Sequence, residues 1–183
     1  EGQAVLIHYI GKSTNDADFN LVLDQFDALH ALAPNAFDLT VVGAIRERPT
    51  RDWLSFLAPA PQHRLYPRFA RWLVQNNSFD IGISPLVQTR FNDCKSDLKI
   101  LDYAALGLVP VVSDSIPYTA TATANGCAVV VPSRTGWTEA LHGLIKDRDR
   151  GREIAATATN YLWSERHVAR SAGEIADRLT ALV

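Results

Sequence analysis

Methionine is absent from the 183 residues, and cysteine occurs only twice, at Cys94 and Cys127. Two cysteines are too few for a disulfide scaffold and fit a reducing compartment, so a cytoplasmic protein is expected. No apolar run approaches the roughly 20 residues that span a bilayer, so no direct membrane span is expected. Neither sign of charge dominates: 18 Lys and Arg stand against 20 Asp and Glu, a net charge of −2. That balance removes any bulk electrostatic reason to bind nucleic acid or an anionic membrane. An anion site must therefore be local. The five histidines show no metal-ligand spacing, so no obligatory metal is expected. Glycine (10) and proline (9) are too sparse for collagen or low-complexity chains. The missing methionine and the strand-like run directly after Glu1 predict an excised piece of a longer protein.

What is present reads as a single domain, residues 1–183. Ala4–Ile10 is a short apolar run closed by Gly11, the pattern of a strand buried on both faces. Phe19, Val22, Leu23, Phe26, Leu29 and Ala33 fall at helical spacing, stopped by Pro34-Asn35. Phe37–Val42 is a second strand, closed by Gly43. Residues 44–61 read as loop, with a turn near Trp53–Leu57, and 63–66 as a short strand. A helix follows Pro67, then a strand over Phe79–Ser84, a loop over Val87–Cys94 and a helix over Asp97–Leu106 closed by Gly107. Val109–Ser113 and Cys127–Val131 are strands, and three helical segments occupy the remainder. Apolar strands alternating with helices predict a doubly wound, Rossmann-like α/β fold with a mainly parallel sheet. His8 and Cys127 read as core residues, and the four tryptophans as packing.

In such folds ligands bind at the carboxyl ends of strands. The richest of these segments is Phe91-Asn92-Asp93-Cys94-Lys95-Ser96-Asp97-Leu98-Lys99. Ser96 is placed to cap the following helix, whose N-terminus carries roughly half a positive charge and favours phosphate. Lys95 and Lys99 are spaced i, i+4, and like charges so placed need a compensating anion. Asp102 supplies one, leaving a solvated ion-paired face, or a ligand does.

The stretch from Pro85 to Asp114 resembles the donor-binding region of GT-B glycosyltransferases of family 4. Pro85, Leu86, Phe91, Asn92, Lys95, Ser96, Lys99, Asp102, Tyr103, Ala105, Gly107, Pro110, Val111 and Val112 match its pattern. The likeness extends over the first loop, Thr14–Phe19, and to Trp137. The resemblance implies the C-terminal half of a two-domain enzyme, with a nucleotide-diphosphate sugar as donor and an N-terminal acceptor domain as its partner. It implies catalytic roles for Lys12, Lys95 and Lys99 at the leaving β-phosphate, where fixed cations stabilise developing charge. It implies nucleotide-sugar contacts from Gly11, Ser13, Tyr66, Pro85, Leu86, Asn92, Cys94, Ser96, Asp97 and Asp102. Asp102 stands at the second position of the family's E-x7-E pair, where an acceptor-only carboxylate suits ribose hydroxyls. Cys94 stands at the first, where it cannot serve as a carboxylate. The implied activity is sugar transfer in surface-polysaccharide synthesis, with retention. The alternative is a non-catalytic interaction or regulatory module that has lost the carboxylate pair.

Overall fold

A computed structural model describes residues 3–11, 16–43, 46, 48–63 and 65–181. Six strands are all parallel: β1 (Val5–Gly11), β2 (Phe37–Gly43), β3 (Leu54–Leu57), β4 (Ile81–Ser84), β5 (Val109–Ser113) and β6 (Val129–Val131). Their order across the sheet is β3-β2-β1-β4-β5-β6. The chain builds outward from β1 to β3, then returns to the other side of β1 with β4. The reversal makes β1 and β4 the switch point of a Rossmann-like sheet, where connections leave in opposite directions and a crevice opens.

Eight α-helices are described: α1 (Asp16–Leu32), α2 (Tyr66–Gln75), α3 (Arg90–Asp93), α4 (Leu98–Ala105), α5 (Ile116–Asn125), α6 (Trp137–Lys146), α7 (Arg148–Glu165) and α8 (Val168–Thr180). The sequence places α1 well, because Phe19, Val22, Phe26 and Leu29 form one buried stripe. Asp16 and Asp18 lie in its first turn, where the helix dipole favours acids. That stripe packs on Val5, Ile7 and Tyr9 of β1, Phe37 and Leu39 of β2, and Trp137 and Leu141 of α6. Trp53 closes the cluster, with its ring 5.5 Å from Phe26 and 5.8 Å from Phe37. Burying side chains of this size contributes about 1.5–3 kcal/mol each. On the opposite face Ile100 and Ala104 of α4 meet Val112, Tyr118, Cys127 and Ala158 of α7.

Several sequence expectations are corrected. Leu54–Leu57 is the edge strand β3, not a turn within a loop. Residues 63–66 are not a strand: Pro61–His63 is a 3-10 turn, and α2 begins at Tyr66. The Val87–Cys94 loop contains the one-turn helix α3, capped by Thr89, whose side chain accepts from the Asn92 amide. Helix α5 stands between β5 and β6, where no helix was read. Gly107 does follow α4 with φ 71°, a left-handed position that suits glycine.

Candidate functional site

A cleft of about 920 Å³ opens at the carboxyl ends of β1 and β2. Ile10 and Gly11 form its floor with Val42 and Gly43. The two strand ends lie so close that a Cβ on Gly43 would stand 2.0 Å from the Gly11 carbonyl oxygen. Gly43 also has φ 117°, so glycine is required there on both counts. One wall is the start of α4, with Leu98, Lys99 and Asp102. The other is the chain from β3 to α2, with Pro59, His63, Tyr66 and Phe69, and Arg48 at the edge.

A polar cluster spans these walls. The Tyr66 hydroxyl donates to Asp102 Oδ1 at 3.2 Å, and Lys99 Nζ stands 3.5 Å from Asp102 Oδ2. Burial, the Asp102 charge and the hydrogen bond to Asp102 together push the Tyr66 phenol upward, so it remains a neutral donor. Arg48 places its guanidinium 5.4 Å from the centre of the Phe56 ring. The site therefore combines an apolar floor, two aromatic side chains, cations at either edge and one carboxylate with hydroxyl-binding chemistry.

Of the expected site residues, Gly11, Tyr66, Lys99 and Asp102 line this one cleft. Lys12 and Ser13 lie outside the described residues. The other expected site residues take different positions. Lys95 stands ahead of α4, where the sequence places it, but its ammonium pairs with Asp18 at 3.7 Å. The two lysines are compensated by different carboxylates, Asp18 and Asp102. Ser96 is not the cap of α4; that position is Asp97, whose side chain makes no capping hydrogen bond. The Asp97 carboxylate instead pairs with Arg166 and accepts from Thr121 at 2.7 Å.

Pro85 and Leu86 are buried, and the Leu86 side chain belongs to the core under α4 and α5. The Leu86 amide donates to Ser113 Oγ at 2.9 Å. Asn92 is also buried, with Nδ2 donating to the Val87 carbonyl at 2.7 Å and toward Asp18 Oδ1 at 3.4 Å. Asp18 accepts the Val87 amide at 2.9 Å as well. These contacts pin the β4–α3 connection to the first turn of α1, and they explain Asn92 and Asp18 as scaffold. Cys94 ends α3 with its thiol exposed.

Arg48, His63, Phe69 and Leu98 also line the cleft; the sequence offers residues 43–48 as a ligand-binding strand end and residues 63–69, with Tyr66, as nucleobase contacts. Arg48 reads as one of several arginines in a solvated loop, and its neighbour Arg51 does take a surface role, paired with Asp27 at 2.7 Å. Among the described residues, no group of three or more His, Cys, Asp or Glu stands close enough to hold a metal ion. No described helix is long and apolar enough to cross a membrane.

No family model matches the chain, and no curated protein matches it by sequence. Solved structures do. A glycosyltransferase from Rickettsia africae superposes with a TM-score of 0.70 at 14% identity, over 98% of this chain and 49% of that one. The C-terminal domain of LpcC, a group 1 glycosyl transferase from Francisella tularensis, gives 0.67 at 12% identity, over 90% and 87%. HepE from Anabaena, solved with UDP and glucose, gives 0.67 at 11% identity, over 97% and 48%. The chain has the C-terminal fold of GT-B glycosyltransferases. At these identities the likeness is one of fold. This GT-B fold unit spans about half the length of the Rickettsia and Anabaena chains and most of the LpcC domain. Its cleft lies at the carboxyl ends of the strands, where open α/β folds bind ligands.

Proposed function

We propose that the chain is the donor-binding domain of a glycosyltransferase, and that its cleft holds a nucleoside diphosphate sugar. The observation that carries this reading is the Lys99–Asp102–Tyr66 cluster at the start of α4, inside a largely apolar cleft. A nucleotide needs an apolar slot for its base, an acceptor for its ribose hydroxyls and cations for its diphosphate. Phe69 and Pro59 would flank the base, Asp102 would accept from the ribose, and Lys99 and Arg48 would meet the phosphates. Asp102 then trades the Tyr66 hydroxyl for a ribose hydroxyl of the same chemistry.

Glycosyl transfer leaves negative charge on the β-phosphate, and Lys99 with the amides at the start of α4 would stabilise it. Lys95 reaches the ligand only by leaving Asp18, so its catalytic role is conditional on that exchange. Lys12 and Ser13 of the first loop would complete the phosphate contacts. Cys94 has no carboxylate to offer the sugar, so the sugar hydroxyls must find acceptors elsewhere. An acceptor domain and a surface-polysaccharide role follow the same reading, and the larger size of the matching chains supports the acceptor domain.

Titration calorimetry of the domain with UDP, GDP and ADP tests the proposal. At least one should bind, and Lys99→Ala should weaken it about tenfold or more, the loss of one charge-assisted contact. Absence of binding by all three would overturn the reading and leave an interaction module in its place.

A further inference from the structure

Arg166 follows α7 as its C-terminal cap, far from the cleft in sequence, yet it reaches Asp97, the N-terminal cap of the helix that carries Lys99 and Asp102. Its two terminal nitrogens take both Asp97 carboxylate oxygens, with Nη2 to Oδ1 at 3.0 Å and Nη1 bonded to Oδ2. Thr121 of α5 adds a third hydrogen bond to Asp97, and Nη1 also reaches the Tyr161 hydroxyl at 3.1 Å. The Asp97 side chain is only 12% exposed. Burial pushes its carboxyl up, but the bonds from Arg166 and Thr121 outweigh burial and hold it below the usual carboxylate value.

An aspartate at the start of a helix ordinarily spends its charge on that helix, either by accepting its amides or by offsetting its positive end. Here the Asp97 side chain makes no capping bond, and its charge is answered by a guanidinium from another element. The adjacent residues, Leu98 and Lys99, line the cleft. An unanswered carboxylate there would repel any phosphate brought to α4.

We infer that Arg166 is a positioning residue for anion binding: by neutralising and holding Asp97, it keeps the positive end of α4 available to the ligand. The inference rests on the donor-binding reading for the identity of the anion, but not for the charge compensation itself. A purely structural clamp and a charge-compensating one differ in a double-substitution cycle. As a structural clamp, Arg166→Gln and Asp97→Asn break the same pair and have the same effect, alone or together. As charge compensation, Arg166→Gln alone leaves the repelling carboxylate, and Asp97→Asn removes it.

The test is made on the whole chain, with UDP, GDP and ADP as titrants and amide exchange as a ligand-free readout. Arg166→Gln should weaken binding about three- to tenfold, and Arg166→Gln with Asp97→Asn should return to within about twofold of wild type. Base-catalysed exchange of the Leu98 and Lys99 amides should slow in Arg166→Gln, because a bare carboxylate repels hydroxide, and should recover in the double variant. Equal losses in both single variants without recovery would overturn the inference. If wild type binds none of the nucleotides but the exchange pattern appears, the donor-binding reading falls and the charge compensation by Arg166 stands.

Discussion

His8 lies in the middle of β1 with no exposed surface, its ring 4.3 Å from that of Phe79 and tilted to it by 35°, and among the described residues neither ring nitrogen has a hydrogen-bond partner. Burial first, and the nearby Lys99 charge second, lower its pKa to about 3. The imidazole is therefore neutral in the fold and titrates near 6.5 in the unfolded chain. A group whose pKa is depressed by folding favours unfolding once the unfolded form takes up its proton. Its cost is absent above pH 6.5 and grows by about 1.4 kcal/mol per pH unit as pH falls from 6.5 toward 3. His8→Leu removes both the titration and two orphaned polar atoms at nearly constant volume. Urea unfolding of this variant should match or exceed wild type at pH 7 and exceed it clearly at pH 5. An unchanged difference between the two pH values would show that His8 is not the group responsible.

Helix α4 is seated on the sheet by Tyr103, whose ring lies over Gly82 of β4 and whose hydroxyl donates to the Ile83 carbonyl at 2.6 Å. A Cβ on Gly82 would fall 2.3 Å from the ring, so Gly82→Ala must lift the helix that carries Lys99 and Asp102. The expected outcome is a loss of about 1–3 kcal/mol in denaturant unfolding, as for other overpacked cores. Nucleotide affinity should weaken in parallel in the fraction that remains folded. A second element-scale anchor is Asp18, which holds the Val87 amide, the Asn92 amide group and Lys95. Asp18→Ala strands a partly buried amide and a lysine, and should cost about 1–3 kcal/mol. Asp18→Asn should restore part of the loss, because its carbonyl can still accept from Val87.

The same elements show what the sequence reveals. Strands β1 and β5 and helix α1 were legible because each writes its burial as a continuous run or a single stripe. Strand β3 was not, because it is four residues at a sheet edge with alternate positions exposed, set among prolines. Helix α5 was hidden in the Tyr118–Asn125 segment, where threonine alternates with alanine and leaves only Tyr118 and Ala122 buried. The α4 wall of the cleft was legible from spacing around Lys99 and Asp102. The facing wall was legible only in part: Tyr66 and residues 63–69 read as base contacts, whereas Arg48 comes from a stretch without periodicity whose return to the β1 end is a tertiary event.

At the scale of the molecule, two cores on opposite faces of one sheet hold the strands, and the cleft opens at the carboxyl ends of β1 and β2. The net charge of −2 supplies no long-range attraction for an anion. The lysines nearest the site are already paired with carboxylates. Affinity must then come from contacts made inside the cleft, and these exist only when both walls are in place. A nucleotide that binds the folded chain and not the unfolded one should stabilise the whole molecule by mass action, by about 2.7 kcal/mol at a hundredfold excess over Kd. For a domain of this size that is a rise of about 5–10 °C in the melting temperature. Asp102→Ala should melt close to wild type without ligand, since it loses only partly exposed pairs with Lys99 and Tyr66. It should lose most of the ligand-induced rise, because the carboxylate for the ribose is gone. A full rise in Asp102→Ala would place the nucleotide elsewhere on the sheet, and a scan of the same variant with inorganic pyrophosphate separates the ribose contact from the phosphate contact. Pyrophosphate has no ribose, so its smaller stabilisation should survive Asp102→Ala and disappear in Lys99→Ala.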